Sequence, residues 1–108
     1  MRSFLGRFSK LGNLSKHFIS KDVGGNKSVL IITDDSDNPL SDVSVVMQSA
    51  SGKYIYSAIT NVQGEAVLMG TLGKEYMLTL NKSGVQEQVV SDWMFVKNDT
   101  IVYTQIPS

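Results

Sequence analysis

The stretch "DDSDNPLSDVSVVM", residues 34–47, sets Asp34, Asp35, Asp37 and Asp42 just ahead of a run of alternating valines. Such a stretch reads either as a cation site or as a turn that opens a strand. Calcium takes roughly six to eight oxygens, and a calcium-binding loop between helices needs alternating acids, then a glycine at the sixth position and a glutamate at the twelfth. Asp35 and Asp37 alternate, but Pro39 stands at the next ligand position and no glycine follows. Aspartate and asparagine also satisfy their own backbone in turns, and proline fixes φ for strand entry. The stretch is therefore read as a solvated loop opening a strand, with no metal ligands.

Beyond the loop the period is two, which sends Val43, Val45 and Met47 to one face and Ser44, Val46 and Gln48 to the other. Tyr76, Leu78 and Leu80 share a side in the same way, and both sets are assigned to the core. The alternation predicts strands at Ser28–Thr33, Val43–Ser49, Tyr54–Thr60, Glu65–Met69, Tyr76–Leu80, Val85–Val90 and Thr100–Ile106. "SASGK", "NVQGE" and "NKSG" set Gly52, Gly64 and Gly84 where tight turns need a positive φ. Short strands separated by such turns predict an all-β, seven-stranded antiparallel sandwich over residues 28–108.

Residues 1–27 differ in kind. They hold six Lys or Arg and one acid, a net of +5, whereas residues 28–108 hold four bases and nine acids, a net of −5. The neutral total thus hides a basic arm ahead of an acidic body. At 100° per residue, Phe4, Leu5, Phe8, Leu11, Leu14, Phe18 and Ile19 gather on about half of a helical wheel. Arg2, Lys10, Lys16, His17 and Lys21 fall on the other half, and "KDVGGNKS" reads as a glycine hinge. An amphipathic helix of this length, with Gly6 and Gly12 inside it, is marginal alone in water. The segment is basic, serine-rich and acid-free through Ser20, as mitochondrial transit peptides are, and it lacks the apolar centre of a secretory signal. It is taken as part of the working protein, and no run is long enough for a membrane span.

The body resembles a known family. "PLSDVSVVM", "AITNVQGEAVL" and "YMLTLNKSG" are similar to the prealbumin-like domains of the carboxypeptidase regulatory type and to related bacterial immunoglobulin-like modules. The positions concerned are Pro39, Leu40, Val43, Val45, Thr60, Gly64, Ala66, Leu68, Tyr76 and Leu80. Asn61 stands where that family usually has aspartate, which weakens any family-based calcium argument. The resemblance implies an immunoglobulin-like or prealbumin-like sandwich but no single role, since such modules act as spacers, adhesion modules and decorations on phage particles.

Chemistry is sparse. With no cysteine and a single histidine, His17, no catalytic triad and no histidine or cysteine metal site can be assembled. Transthyretin-like hydrolases share a related sandwich and need histidine and arginine groups, yet residues 28–108 contain no arginine. No enzymatic activity and no cofactor are expected. In "DWMFVKND", Trp93 to Val96 are consecutive apolar residues, read as buried strand or, alternatively, with Trp93 and Phe95 as an exposed interface anchor.

For the arm, a groove on a partner protein is the first reading and an anionic membrane surface the second. Nucleic acid is the weakest, because the aromatics lie on the apolar stripe. The expectation is a non-enzymatic structural module, present in multiple copies and fastened by its arm to a larger assembly. The specific form is an auxiliary phage capsid or tail protein located in the virion, and otherwise an intracellular protein. The alternatives are a subunit of a mitochondrial complex with a retained targeting-like helix, and a surface adhesion or glycan-binding module.

Overall fold

The computed structural model of the chain describes residues 25–108. The expected arm helix over residues 4–19 lies outside them. The described part contains seven strands: β1 (Asn26–Thr33), β2 (Ser44–Ser49), β3 (Ile55–Ile59), β4 (Glu65–Gly70), β5 (Glu75–Lys82), β6 (Val85–Met94) and β7 (Asn98–Val102). They form a three-stranded sheet, ordered β4-β1-β7, and a four-stranded sheet, ordered β3-β2-β5-β6. Between the two sheets lies one core, which includes Leu30, Ile32, Ala66 and Leu68 from one layer and Val45, Met47, Tyr76, Leu78, Leu80 and Trp93 from the other. The alternation read from the sequence holds, since Val43, Val45, Met47, Leu78 and Leu80 are fully buried and Tyr76 nearly so.

Three details differ from the expectation. The sandwich is not wholly antiparallel, because β1 pairs parallel with β7, in the register Ile31 to Thr100. No hairpin joins this first and last strand, so no tight turn fixes their relative direction. The strand order also departs from that of immunoglobulin constant domains, in which the first strand pairs with the second. Here β1 lies between β4 and β7, while β2 belongs to the other sheet. The last strand ends at Val102 rather than running to Ile106. Tyr103 turns its ring into the core, and its hydroxyl donates to the Gln86 carbonyl at 2.6 Å. The following residues then run beside β6, where Gln86 N–H donates to the Ile106 carbonyl at 2.7 Å.

The loop of residues 34–38 is organised from within. The Asp34 carboxylate accepts Ser36 N–H at 2.8 Å, Asn38 N–H at 2.9 Å and the Asn38 side-chain amide at 3.2 Å. The backbone hydrogen bond from Asn38 is the main reason its carboxyl titrates below the ordinary range. The acid that opens the quoted stretch therefore serves as a turn acceptor.

Just past this loop the two sheets are tied together. The buried Thr60 hydroxyl donates to the Leu40 carbonyl at 2.7 Å and accepts Val43 N–H at 2.9 Å. Ile32 N–H donates to the Gly64 carbonyl at 2.8 Å, and Leu40 N–H donates to the Ile32 carbonyl at 2.9 Å. Gly64 has φ +76°, and a Cβ there would lie 2.7 Å from the Ile32 carbonyl oxygen and 3.0 Å from the Pro39 Cβ. Only glycine fits. Asn61 Oδ1 accepts Gln63 N–H at 2.9 Å and Glu65 N–H at 3.0 Å, so this turn needs an oxygen acceptor and not a charge.

Aromatic polar groups add further ties. The Tyr54 hydroxyl donates to the Met69 carbonyl at 2.7 Å, and burial raises its pKa well above the usual phenol value. Burial likewise raises the pKa of Tyr103.

The test of the knot is Thr60→Val, which keeps the shape but leaves the Val43 N–H and the Leu40 carbonyl without their partner. Chemical denaturation should show a loss of about 1–3 kcal/mol, and Thr60→Ser, which retains the hydroxyl, should lose less.

Candidate interaction surface

The paired residues Trp93 and Phe95 occupy the core and are not an exposed anchor, with accessibilities of 6% and 0%. Asp92 adopts φ +56° within a register shift between β5 and β6, and that irregularity sets which of the consecutive apolar residues turn inward. The indole N–H of Trp93 donates to Asp99 at 2.8 Å, which satisfies the one polar group of the buried ring. Phe95 meets Trp93 edge-on at 5.6 Å and Tyr76 at 5.9 Å, and its ring lies against Gly70, where a Cβ would come within 2.8 Å of it. Met94 and Val96 are the members of the run that reach solvent.

The arm residues Phe4, Leu5, Phe8, Leu11, Leu14, Phe18 and Ile19 lie outside the described residues. Among the described residues, no cluster of His, Cys, Asp and Glu side chains is arranged to hold a metal ion, and no helix is long and apolar enough to cross a membrane.

The outward face of the four-stranded sheet carries several exposed aliphatic side chains. Register aligns Ser57 with Val46 and Val46 with Thr79, and it aligns Thr79 with Val89. It likewise aligns Ile55 with Gln48 and Gln48 with Met77, so these side chains share the outer face. Ile55, Ile59, Met77 and Val89 are exposed, at 54%, 68%, 39% and 50%. Across the face they alternate with Ser57, Gln48 and Thr79, so they stand among polar side chains.

Charge on this face has one sign. Alternation places Glu75 with Met77 on β5, and Glu87 with Val89 on β6, whereas no lysine or arginine occupies an outward strand position. The nearby bases are engaged or lie beyond the strands. Lys82 Nζ donates to the Ser41 carbonyl at 2.8 Å, Lys74 rests 5.6 Å above the Tyr76 ring, and Lys53 sits ahead of β3. At one end of the face, Ala50, Glu75, Tyr76, Met77, Ser91 and Asp92 line a depression of about 210 Å³. The arrangement sets exposed aliphatic side chains among uncharged polar ones, with its acids on the β5 and β6 side.

Sequence reasoning missed this face because it sorted residues into inward and outward sets without asking what the outward set contained. The signal was present in "YIYSAIT", whose outward Ile55 and Ile59 break the usual polar alternation. No protein-family model matches the chain, and no curated relative matches it.

The two sides of the Trp93–Val96 run should separate under mutation. Phe95→Ala should cost about 3–5 kcal/mol, whereas Met94→Ser should stay within about 0.5 kcal/mol, both read from urea unfolding curves.

Proposed function

We propose that this chain is a non-enzymatic interaction module, in which a prealbumin-like sandwich is the scaffold and the basic arm fastens it to a larger assembly. The observation that carries this reading is a mismatch between two sets of apolar residues. Among the described residues, side chains between Leu30 and Tyr103 form one contiguous core. The seven large apolar residues of the arm, backed by cations, form a further stripe that needs a surface of its own. Each such side chain contributes about 1.5–3 kcal/mol on burial, before the entropy of ordering is subtracted. Docking through that stripe is proposed over nucleic-acid binding, because apolar burial rather than charge would supply most of its free energy.

Two further features support the prealbumin-like part of the proposal. Pro39, Leu40, Thr60 and Gly64, which carry the resemblance, are the residues whose backbone and hydroxyl groups meet in the knot between the sheets. The strand entered through Tyr76 supplies three of the buried core side chains. The specific form we propose is an auxiliary capsid or tail component of a phage particle, present in multiple copies. A small scaffold with an attachment arm fits that role.

The test is Phe8→Asp with Phe18→Asp in the full chain. The variant should fail to co-purify with its native assembly while its melting temperature stays within a few degrees of the parent's. Normal incorporation would refute the docking role.

A further inference from the structure

We infer that β3 is a pairing edge, and that its occupant is β3 of a second copy of this chain, aligned antiparallel about a two-fold axis at Ser57. The inference goes beyond the docking role proposed above and makes no use of the arm.

The two sheets have four edges, β3 and β6 in one and β4 and β7 in the other. An edge strand offers main-chain N–H and C=O groups to any strand that can pair with them, and proteins blunt such edges with covers, charges or prolines. Three of these edges carry caps. On β4, the hydrogen bond from Ile32 N–H to the Gly64 carbonyl sets the ladder's parity, so Glu65, Val67 and Met69 turn their main-chain groups outward. Asn61 engages both main-chain groups of Glu65, and the Tyr54 hydroxyl donates to the Met69 carbonyl at 2.7 Å. On β7, Thr100 N–H donates to the Asp99 carboxylate and the Gln88 side-chain amide donates to the Val102 carbonyl, both at 2.8 Å. On β6, Gln86 N–H donates to the Ile106 carbonyl, the Gln86 carbonyl accepts the Tyr103 hydroxyl, and Val85 bridges to Pro107.

The β3 edge is different. Ser49 N–H donates to the Tyr54 carbonyl, and Thr60 N–H donates to the Val43 carbonyl. With the register of β2 and β3, these bonds aim the main-chain groups of Tyr54, Tyr56 and Ala58 at β2, and those of Ile55, Ser57 and Ile59 away from it. Among the described residues, no hydrogen bond reaches the main-chain groups of Ile55, Ser57 and Ile59. The strand "IYSAI" contains no charge and no proline, and its register with β2 runs without a shift.

The side chains of the strand name the occupant. "IYSAI" reads almost the same in both directions about Ser57. In an antiparallel pair centred there, Ser57 faces Ser57, and Ile55 faces Ile59 of the second copy on each side of the axis. These residues would exchange about six main-chain hydrogen bonds. Ile55 and Ile59, both exposed in the single chain, become opposed β-branched neighbours, a favourable cross-strand pair. On the other face Tyr56 comes opposite Ala58, a large ring beside a small side chain. Just beyond the strand Lys53 comes opposite Asn61, so no like charges meet. An unrelated extended peptide would match the main-chain groups but not this side-chain pairing. The product joins two four-stranded sheets into one, and the isologous contact closes at the dimer. A strand this short buries an area at the small end of specific interfaces, below about 1,200 Å², so association is weak and concentration-dependent.

The experiment uses the full chain, which has no cysteine of its own. Ser57→Cys and Ile55→Cys are each oxidised mildly and followed on non-reducing gels. In the pair described, the two Cα atoms at position 57 lie about 5.5 Å apart, within disulfide range, whereas those at position 55 lie about 14 Å apart. Ser57→Cys should therefore form a covalent dimer at least about tenfold faster than Ile55→Cys. Sedimentation velocity tests the register without a covalent link. Ile55→Lys with Ile59→Lys opposes cation to cation and should abolish the parent's dimer, while Ile55→Lys with Ile59→Glu opposes cation to anion and should retain it. Both positions are exposed, so melting temperatures close to the parent's are expected.

A parent chain that stays monomeric, equal cross-linking of the two cysteine variants, a double-lysine variant that associates like the parent, or a lysine–glutamate variant that does not associate would each overturn the inference. None of these substitutions touches the arm, so any such result leaves the docking role standing, and that role answers separately to the Phe8 and Phe18 variant.

Discussion

Thr60 is buried between the sheets, and its hydroxyl is a donor and an acceptor at once. The chain leaving β1 must cross to the other layer through Pro39 and Leu40, and that crossing leaves the Leu40 carbonyl and the Val43 N–H needing partners. One threonine supplies both. Gly64 lets the β3–β4 turn approach close enough for Ile32 to bond to it, an approach that any Cβ would block. Because a buried unpaired backbone group costs about 1–3 kcal/mol, the sheets cannot slide here without breaking several such bonds together. The alternating valines of β2 then have only one way to face.

That constraint explains which parts of the architecture were legible in the sequence. Val43, Val45 and Met47 announced their side because a pleated strand alternates, and Gly52, Gly64 and Gly84 announced turns because they adopt positive φ. Strand partners beyond the hairpins were not legible. The β1–β7 pair joins segments far apart in sequence, and nothing local in either one encodes a parallel neighbour. The run Trp93-Met94-Phe95-Val96 was ambiguous because four apolar residues in a row carry no parity. Its orientation is settled by the irregularity at Asp92 and by the Asp99 acceptor for the indole, neither of which periodicity can supply.

The candidate surface illustrates a related point. The acidic loop drew attention because it is dense in charge, yet Asp34 spends its oxygens on the loop's own amides. The outward face of the four-stranded sheet, by contrast, carries charge that is sparse and of a single sign. Its exposed aliphatic residues lie on β3, β5 and β6, so their common face is seen only once the register is known.

The central proposal is that the sandwich needs no residue of the arm for its core and that the arm's apolar stripe is sheltered by a partner. Amide hydrogen exchange compared between the parent chain and the Phe8→Asp, Phe18→Asp variant tests that most directly. The amides of Ile32, Leu40 and Val43 should exchange at the same slow rates in both, because the knot does not depend on the arm. Markedly faster exchange at those amides in the variant would make the arm part of the sandwich's own core and contradict the account.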